Sequence, residues 1–526
     1  MTAEARPEWT SSNTGGRPVV DTTSGPVRGV DDGVATSWKA VPYAAAPTGD
    51  LRWRAPQPPA AWSEPLDASR VGPVCPQPTD PRIPIELGAP QGEDFLSLNV
   101  WAPSGTEPGA GKPVMVWIHG GAYILGSASQ PLYHGRRLAG DGDVVVVTVN
   151  YRLGAFGFLE LGALTGDTDR YATNVGLRDV LAALAWVRDN IAGFGGDPHR
   201  VTVFGESAGG GMVTTLLGSP AAAGLFHAAI AQSSPVTSIY DTEAAGRVAA
   251  RFLDVAGVGR DDLGRLAEFS DQALVTASRR VFDEVPVNSP GRLAFVPIVD
   301  GDLVPDYPVR LARAGRTHPV PLIIGTNRHE AALFRYMKSP ILPIKAEAIS
   351  TMFAGIAAEQ PELTLPERRQ LETIYRGRRK ARGLGLASDL GFRMPSLWFA
   401  DGHRANAPVY LYRFDFATPM LRLLRLHGAH ATELPLVWGN LGPARRDPMF
   451  AIGGRAAGEE VSRRMRARWT GFATDGVPAA GPGEPEWRAF DADARAALVI
   501  DRQDTVVDDL DAPVREAWGD DVLSFR

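Results

Sequence analysis

Short uninterrupted apolar runs alternate along this chain with segments whose apolar positions recur every three or four residues. Residues 114–118 and 144–149 are apolar runs of strand length. After them, Leu177, Val180, Leu181, Leu184, Val187 and Ile191 fall on one helical face, with Arg178, Asp179, Arg188 and Asp189 off it. Another apolar run, 201–204, leads into a helix-forming segment, 210–217. Residues 228–231, 321–324 and 409–414 read as further strands. Strands without polar alternation are buried on both faces, so the pattern predicts an α/β fold: a mostly parallel sheet with helices on both sides.

No internal repeat interrupts this pattern, and no linker is long and polar enough to separate one domain from another. A Pro/Gly loop spans 478–485, but the chain after it, 487–500, reads as folded. The expected organisation is a loose polar tail, 1–16, followed by one domain, 17–526.

Composition narrows the class. A chain of 526 residues is long enough for a large core. Its 54 Lys and Arg against 60 Asp and Glu give a net charge of −6, with no global attraction for nucleic acid. No apolar run approaches the roughly 18 residues of a membrane span. Residues 1–16 lack the apolar stretch of a secretory signal. The single cysteine, Cys75, excludes an intramolecular disulfide. These features predict a cytoplasmic protein. They leave the oligomeric state open.

The chemistry concentrates in four segments. Gly205-Glu206-Ser207-Ala208-Gly209 lies between the 201–204 strand and the 210–217 helix. This is G-x-S-x-G in strand–turn–helix context, the nucleophile elbow of the α/β-hydrolase fold. Small residues permit a turn tight enough to strain Ser207 and hold its hydroxyl above the sheet. A serine nucleophile also needs an oxyanion hole, a base and an acid. Trp117-Ile118-His119-Gly120-Gly121-Ala122-Tyr123 ends a strand in a Gly-rich turn. The N–H groups of Gly120 and Gly121, with that of Ala208, are the candidate oxyanion donors. The acid is sought just past the 321–324 strand, in Gly325-Thr326-Asn327-Arg328-His329-Glu330. The base is sought in His427-Gly428-Ala429-His430-Ala431-Thr432-Glu433, where either histidine qualifies.

Together these segments resemble the type-B carboxylesterase/lipase family, which includes bacterial para-nitrobenzyl esterases and the cholinesterases. The likeness is collinear from about Gly25 into the last fifty residues. It includes Pro42-Tyr43-Ala44, Leu51-Arg52-Trp53, Glu93-Asp94-Phe95-Leu96-Ser97-Leu98-Asn99-Val100, Asn150-Tyr151-Arg152-Leu153-Gly154 and Phe194-Gly195-Gly196-Asp197-Pro198. The 117–126 string with Pro131-Leu132-Tyr133 is most similar to the para-nitrobenzyl esterases. The resemblance implies that the acid is Glu330, from G-x-N-x-x-E, and the base His430, from H-x-x-E-[LI]. It gives Glu206 as the acidic neighbour of the nucleophile and Ser233 as a supporting serine beside the triad. Two positions depart from the family pattern. Phe95 stands where a partner for Cys75 is often found, and Ala331 where Gly often follows the acid.

The resemblance implies a serine carboxylesterase that acts on small-molecule esters through an acyl-enzyme, with no metal or cofactor. Ser207 Oγ is expected to approach one nitrogen of His430, and Glu330 the other. Carbamate or amide hydrolysis on the same machinery is the alternative. A non-catalytic, cholinesterase-like binding protein is a second alternative, disfavoured by the intact Ser207, Glu330 and His430. Tyr123 and Leu125, beside the oxyanion turn, and Phe334 with Tyr336 and Met337, after the acid, are candidate pocket walls. So is Met420, in a stretch where Arg422 and Arg425 face either the pocket or water. The sequence assigns neither the natural substrate nor its acyl and alcohol sizes.

Overall fold

The computed structural model describes residues 17–79, 85–375, 379–442 and 447–526. The tail expected at 1–16 lies outside the described residues. The frame is a sheet of eleven strands: β1 (Val30–Asp31), β2 (Ala35–Pro42), β3 (Ser97–Pro103), β4 (Lys112–Ile118), β5 (Val145–Val149), β6 (Gly196–Glu206), β7 (Ala228–Gln232), β8 (Leu322–Asn327), β9 (Val409–Phe414), β10 (Ala497–Ile500) and β11 (Thr505–Val507). They lie in the order β11-β10-β9-β8-β7-β6-β4-β5-β3-β2-β1. Strands from β10 through β5 run parallel. Antiparallel pairs finish the sheet at β11 and at β3, β2 and β1.

The register places the chemistry. Ile118 pairs with Gly205, Glu206 with Gln232, Gln232 with Gly325, and Asn327 with Phe414. The carboxyl ends of β4, β6, β7, β8 and β9 therefore lie along one edge, with β8 and β9 running two residues beyond β7. That edge is where open α/β sheets bind ligands, because the chain leaves each strand there into a loop. The helices that matter below are α1 (Val175–Asn190), α2 (Ala208–Leu217), α3 (Ala331–Tyr336), α4 (Ala346–Glu359) and α5 (Arg455–Asp475).

The apolar runs behave as their patterning requires. Every residue of β5, β7 and β8 is buried. One face of the sheet packs on a large core that includes Leu177, Val180, Leu184 and Val187 of α1. The other packs on Trp117, Trp438, Trp469 and Phe472. Among the described residues no helix is long and apolar enough to cross a membrane. Cys75 is a buried free thiol, and Phe95 is buried in the same core.

Two local expectations are corrected. Asp179, placed on the polar side of α1, is fully buried. Its carboxylate takes Arg152 in a fork: Nε reaches Oδ2 at 2.8 Å and Nη2 reaches Oδ1 at 2.6 Å. The remaining Arg152 nitrogen donates to the carbonyls of Arg52 and Arg54 at 3.1 and 2.8 Å. Helical periodicity sorts residues by polarity and cannot show that a partner lies across the core; removing one member of such a pair costs about 3–5 kcal/mol. The strand before the acid also runs further than 324. It continues to Asn327, and α3 begins directly after Glu330.

Candidate active site

Strand β6 ends at Glu206, and α2 starts at Ala208, leaving one residue for the turn. Ser207 takes φ 56° and ψ −123°, a region that non-glycine residues rarely occupy. Its N–H donates to Gln232 O at 3.0 Å, which ties the turn to β7. Glycine is required at 209, since a Cβ there would sit 2.0 Å from Ile118 O. The turn thus fixes the Ser207 hydroxyl at the sheet edge. Among the described residues that hydroxyl makes no hydrogen bond.

The 119–126 loop wraps beside it. Gly121 has φ 119°, and Ala122 and Tyr123 also adopt positive φ. Among the described residues the N–H groups of Gly120 and Gly121 donate to nothing. Ala208 opens α2, so its N–H has no acceptor within the helix. Side chains anchor this loop. Gln77 exchanges two hydrogen bonds with the Gly126 backbone, and Tyr151 Oη donates to His119 O at 2.7 Å. His119 is fully buried and stacked on Tyr151, and burial pushes it down to about 4, so it carries no charge near neutrality.

The acid and base segments meet above β8 and β9. His430 Nδ1 lies 2.7 Å from Glu330 Oε2. The other oxygen of Glu330 accepts from Ser233 Oγ and from Asn327 N, both at 2.6 Å. The rings of Phe392 and Phe334 lie 4.7 and 5.1 Å from the imidazole. His427 points elsewhere. It is exposed and pairs with the ring of His329, 4.9 Å away.

The expected contact between Ser207 and His430 is not formed. His430 Nε2 instead faces Glu206 Oε1 at 3.1 Å, without an aligned hydrogen bond. A buried carboxyl attracts the imidazole more strongly than a neutral hydroxyl does. Burial alone would push His430 down. The Glu206 and Glu330 carboxylates outweigh it, helped by the hydrogen bond to Glu330 and by Glu433, and lift the imidazole to about 9. Burial also raises Glu206, to about 8, against the pull of the imidazolium. Glu330 and Glu433 add their own attraction for charge on the ring.

Sequence reasoning missed a layer beneath this cluster. Asn327 Nδ2 donates to Ala429 O at 2.6 Å and to Glu433 Oε2. Gln232 Nε2 reaches Glu433 Oε1 at 3.1 Å, and the Gln232 side-chain oxygen accepts from Trp469 Nε1 of α5 at 3.0 Å. These bonds hold Glu433, and with it the turn that presents His430. Asn327 stands in the G-x-N string. Gln232 and Phe392 carry no motif that would have marked them.

A cavity of about 80 Å³ opens at Ser207. Of the predicted walls, Tyr123 and Phe334 line it. Leu125 does not. Its N–H bonds back to Gly121 O, and its side chain packs into the main core. Met420 is half-buried and lies outside the lining, where Leu421 and Leu426 pack against Ala429 and Ala332. Arg422 and Arg425 are exposed, Tyr336 is 56% exposed, and Met337 is half-buried away from the cavity.

Residues 16–518 match the model of the carboxylesterase family. The chain is 37% identical to the para-nitrobenzyl esterase of Bacillus subtilis (strain 168), across 95% of this chain and 98% of that protein. It is 35% identical to the fumonisin B1 esterase of Sphingopyxis macrogoltabida, across 89% of this chain and 84% of that protein. A solved thermophilic PNB esterase superposes with a TM-score of 0.84 at 35% identity, covering 96% of this chain and all of that one. The chain belongs to the carboxylesterase family and is a carboxylic ester hydrolase of the α/β-hydrolase fold.

Proposed function

We propose that this member of the carboxylesterase family cleaves small-molecule esters through Ser207, His430 and Glu330, with an acyl-Ser207 intermediate. The observation that carries the proposal is the 2.7 Å contact between His430 Nδ1 and Glu330 Oε2, at the sheet edge where the strained turn holds Ser207. Neutral His430 takes the Ser207 proton as Oγ attacks the ester carbonyl. Glu330 fixes the tautomer and stabilises the imidazolium. The N–H groups of Gly120, Gly121 and Ala208 bind the oxyanion, and they need no rearrangement because their loop and helix are already fixed. His430 then protonates the leaving alcohol, and water releases the acyl group by the reverse route.

Glu206 acts in this reading as a proton partner of His430. The ring must turn from Glu206 toward Ser207 when substrate arrives. Ser233 and Asn327 support the mechanism by holding the Glu330 carboxylate in place. The same reading treats 17–526 as one domain, since the candidate residues hang from consecutive strands of one sheet. It places the protein in the cytoplasm, a location with which the unpaired Cys75 accords.

The test is hydrolysis of a panel of p-nitrophenyl esters, aryl carbamates and anilides by the wild type and by Ser207→Ala. Ester turnover that vanishes in Ser207→Ala is the expected result. Turnover of the carbamates or anilides well above that of the esters would replace the ester reading. Near-normal ester turnover by Ser207→Ala would remove the nucleophile assignment.

A further inference from the structure

Part of the cavity lining comes from segments distant in sequence from the catalytic motifs. Besides Ser207, Ala208 and Tyr123, the lining includes Met352 and Ile356 of α4 and Leu523 and Phe525. Met352 and Ile356 are one helical turn apart, so α4 presents a single apolar ridge to the cavity. The strap 520–526 crosses that ridge. Leu523 and Phe525 are buried, 1% and 7% exposed, although their neighbours in the strap are more open.

Phe525 is held by several contacts. A Cβ built on Gly355 of α4 would come within 3.1 Å of its ring, and one on Gly291 within 3.3 Å. Two glycines therefore make the recess that admits the phenyl group. The Arg292 guanidinium lies over the ring, 4.3 Å from its centroid. Arg292 is itself fixed by an ion pair with Glu359 of α4 and by a 3.3 Å bond to Arg526 O. The strap backbone is fastened on both sides of the ring: Gln360 Nε2 donates to Ser524 O at 2.6 Å, and Arg526 N to Glu359 Oε2 at 3.1 Å. Further along, Thr364 N donates to Asp521 Oδ2 at 2.8 Å, and the Arg526 side chain pairs with Glu362 at 2.6 Å.

We propose that Phe525 is the end-stop of the cavity and sets the length of the straight apolar chain that an ester substrate can carry. The inference rests on the assignment of Ser207 as nucleophile, since length is measured from that atom. The chain is apolar because the wall is. Either half of the ester, acyl or alcohol, can supply it.

The experiment compares wild type, Phe525→Ala and Phe525→Leu on two substrate ladders. One is p-nitrophenyl esters from acetate to dodecanoate. The other is acetate esters from methyl to dodecyl, followed by acid release. Active-site concentration is fixed by a covalent phosphonate titrant, and Ser207→Ala is the control. In one ladder Phe525→Ala is expected to raise kcat/KM of the longest members relative to the shortest by about tenfold or more, with Phe525→Leu between it and wild type. The ladder that moves identifies the half of the ester that reaches the strap. Unchanged length profiles in both ladders, or an equal loss for all members, would overturn the proposal. If Phe525→Ala fails to fold, the profile of Phe525→Leu decides in the same way. Ester hydrolysis surviving in Ser207→Ala would instead point to the nucleophile assignment.

Discussion

At the nucleophile end of the cavity, Glu330 takes three hydrogen bonds from Ser233, Asn327 and His430 within 2.7 Å. Elsewhere in the lining, Phe525 sits in a recess shaped by two glycines and a guanidinium face. The first region is organised by directional polar bonds between groups that are almost fully buried, and each unmet group there would carry a desolvation cost. The second is organised by apolar packing, which has no preferred direction and which a similar volume can replace. One cavity thus joins a floor where single atoms matter to a wall where volume matters. Losses at the floor should appear in kcat with every substrate, and changes at the wall in the order of substrates.

Ser207→Ala is the sharpest test of the floor. It should lower kcat on any ester by about 10⁵-fold while leaving the fold intact, since the loss of one oxygen spares every backbone bond of the turn. Burst kinetics and circular dichroism check the two halves of that statement. If catalysis depends on directional bonds, Glu330→Gln should come next. It preserves shape yet withdraws the charge opposite Nδ1, with an expected fall of about 10⁴-fold in kcat and little change in melting temperature. A mild effect would mean that the carboxylate only fills space, as a wall residue does.

Ser233→Ala removes one of the three donors to Glu330. An intermediate loss of about tenfold in kcat is expected, because hydrogen bonds to a charge are worth about 1.5–3 kcal/mol and Asn327 N remains. A loss equal to that of Glu330→Gln would show that the carboxylate stands on Ser233 alone. His427→Ala should keep kcat/KM within about twofold, since this exposed ring pairs with His329, while Ser233, Asn327 and His430 hold the Glu330 carboxylate. A loss as severe as that of His430→Ala would show the segment to be misaligned.

Glu206 gives the subtlest effect, in pH rather than magnitude. Burial works against charge on His430, but Glu206 and Glu330 raise it to about 9. The base must be neutral to act, so kcat/KM should fall as pH drops through the raised value. The acid limb is then displaced above the ordinary histidine range near ~6.5. Glu206→Gln withdraws one raising charge, and the limb should move to lower pH. Profiles of kcat/KM for both proteins decide the matter. An unmoved limb would mean that Glu330 alone sets the pKa. A limb moving upward would contradict the geometry.

Much of the floor is legible in the sequence because its components are short strings with local causes. Gly205 to Gly209 must turn within one residue, and Gly120-Gly121 must leave N–H groups bare. Apolar runs such as 114–118 and 409–414 mark strands because burial on both faces allows no polar alternation. The choice of His430 and Glu330 comes from the family resemblance, since polarity and periodicity leave His427 equally eligible. Asp179 escapes the sequence for a related reason: its place on α1 looks polar, but its partner Arg152 belongs to the loop after β5.

The amino-acid order by itself determined the alternating α/β frame, the strained turn at Ser207 and the Gly-rich turn after β4, because these follow from backbone geometry within a few residues. Only the tertiary structure decided which groups face His430 and which side chains line the cavity. The strand register brings Glu206 and Gln232 side by side, and the fold sets Glu206 opposite His430. The strap carries Phe525 across α4, far from Ser207 in sequence. Such contacts depend on distances through space, and those are fixed only when the whole sheet and the helices packed on it are in place.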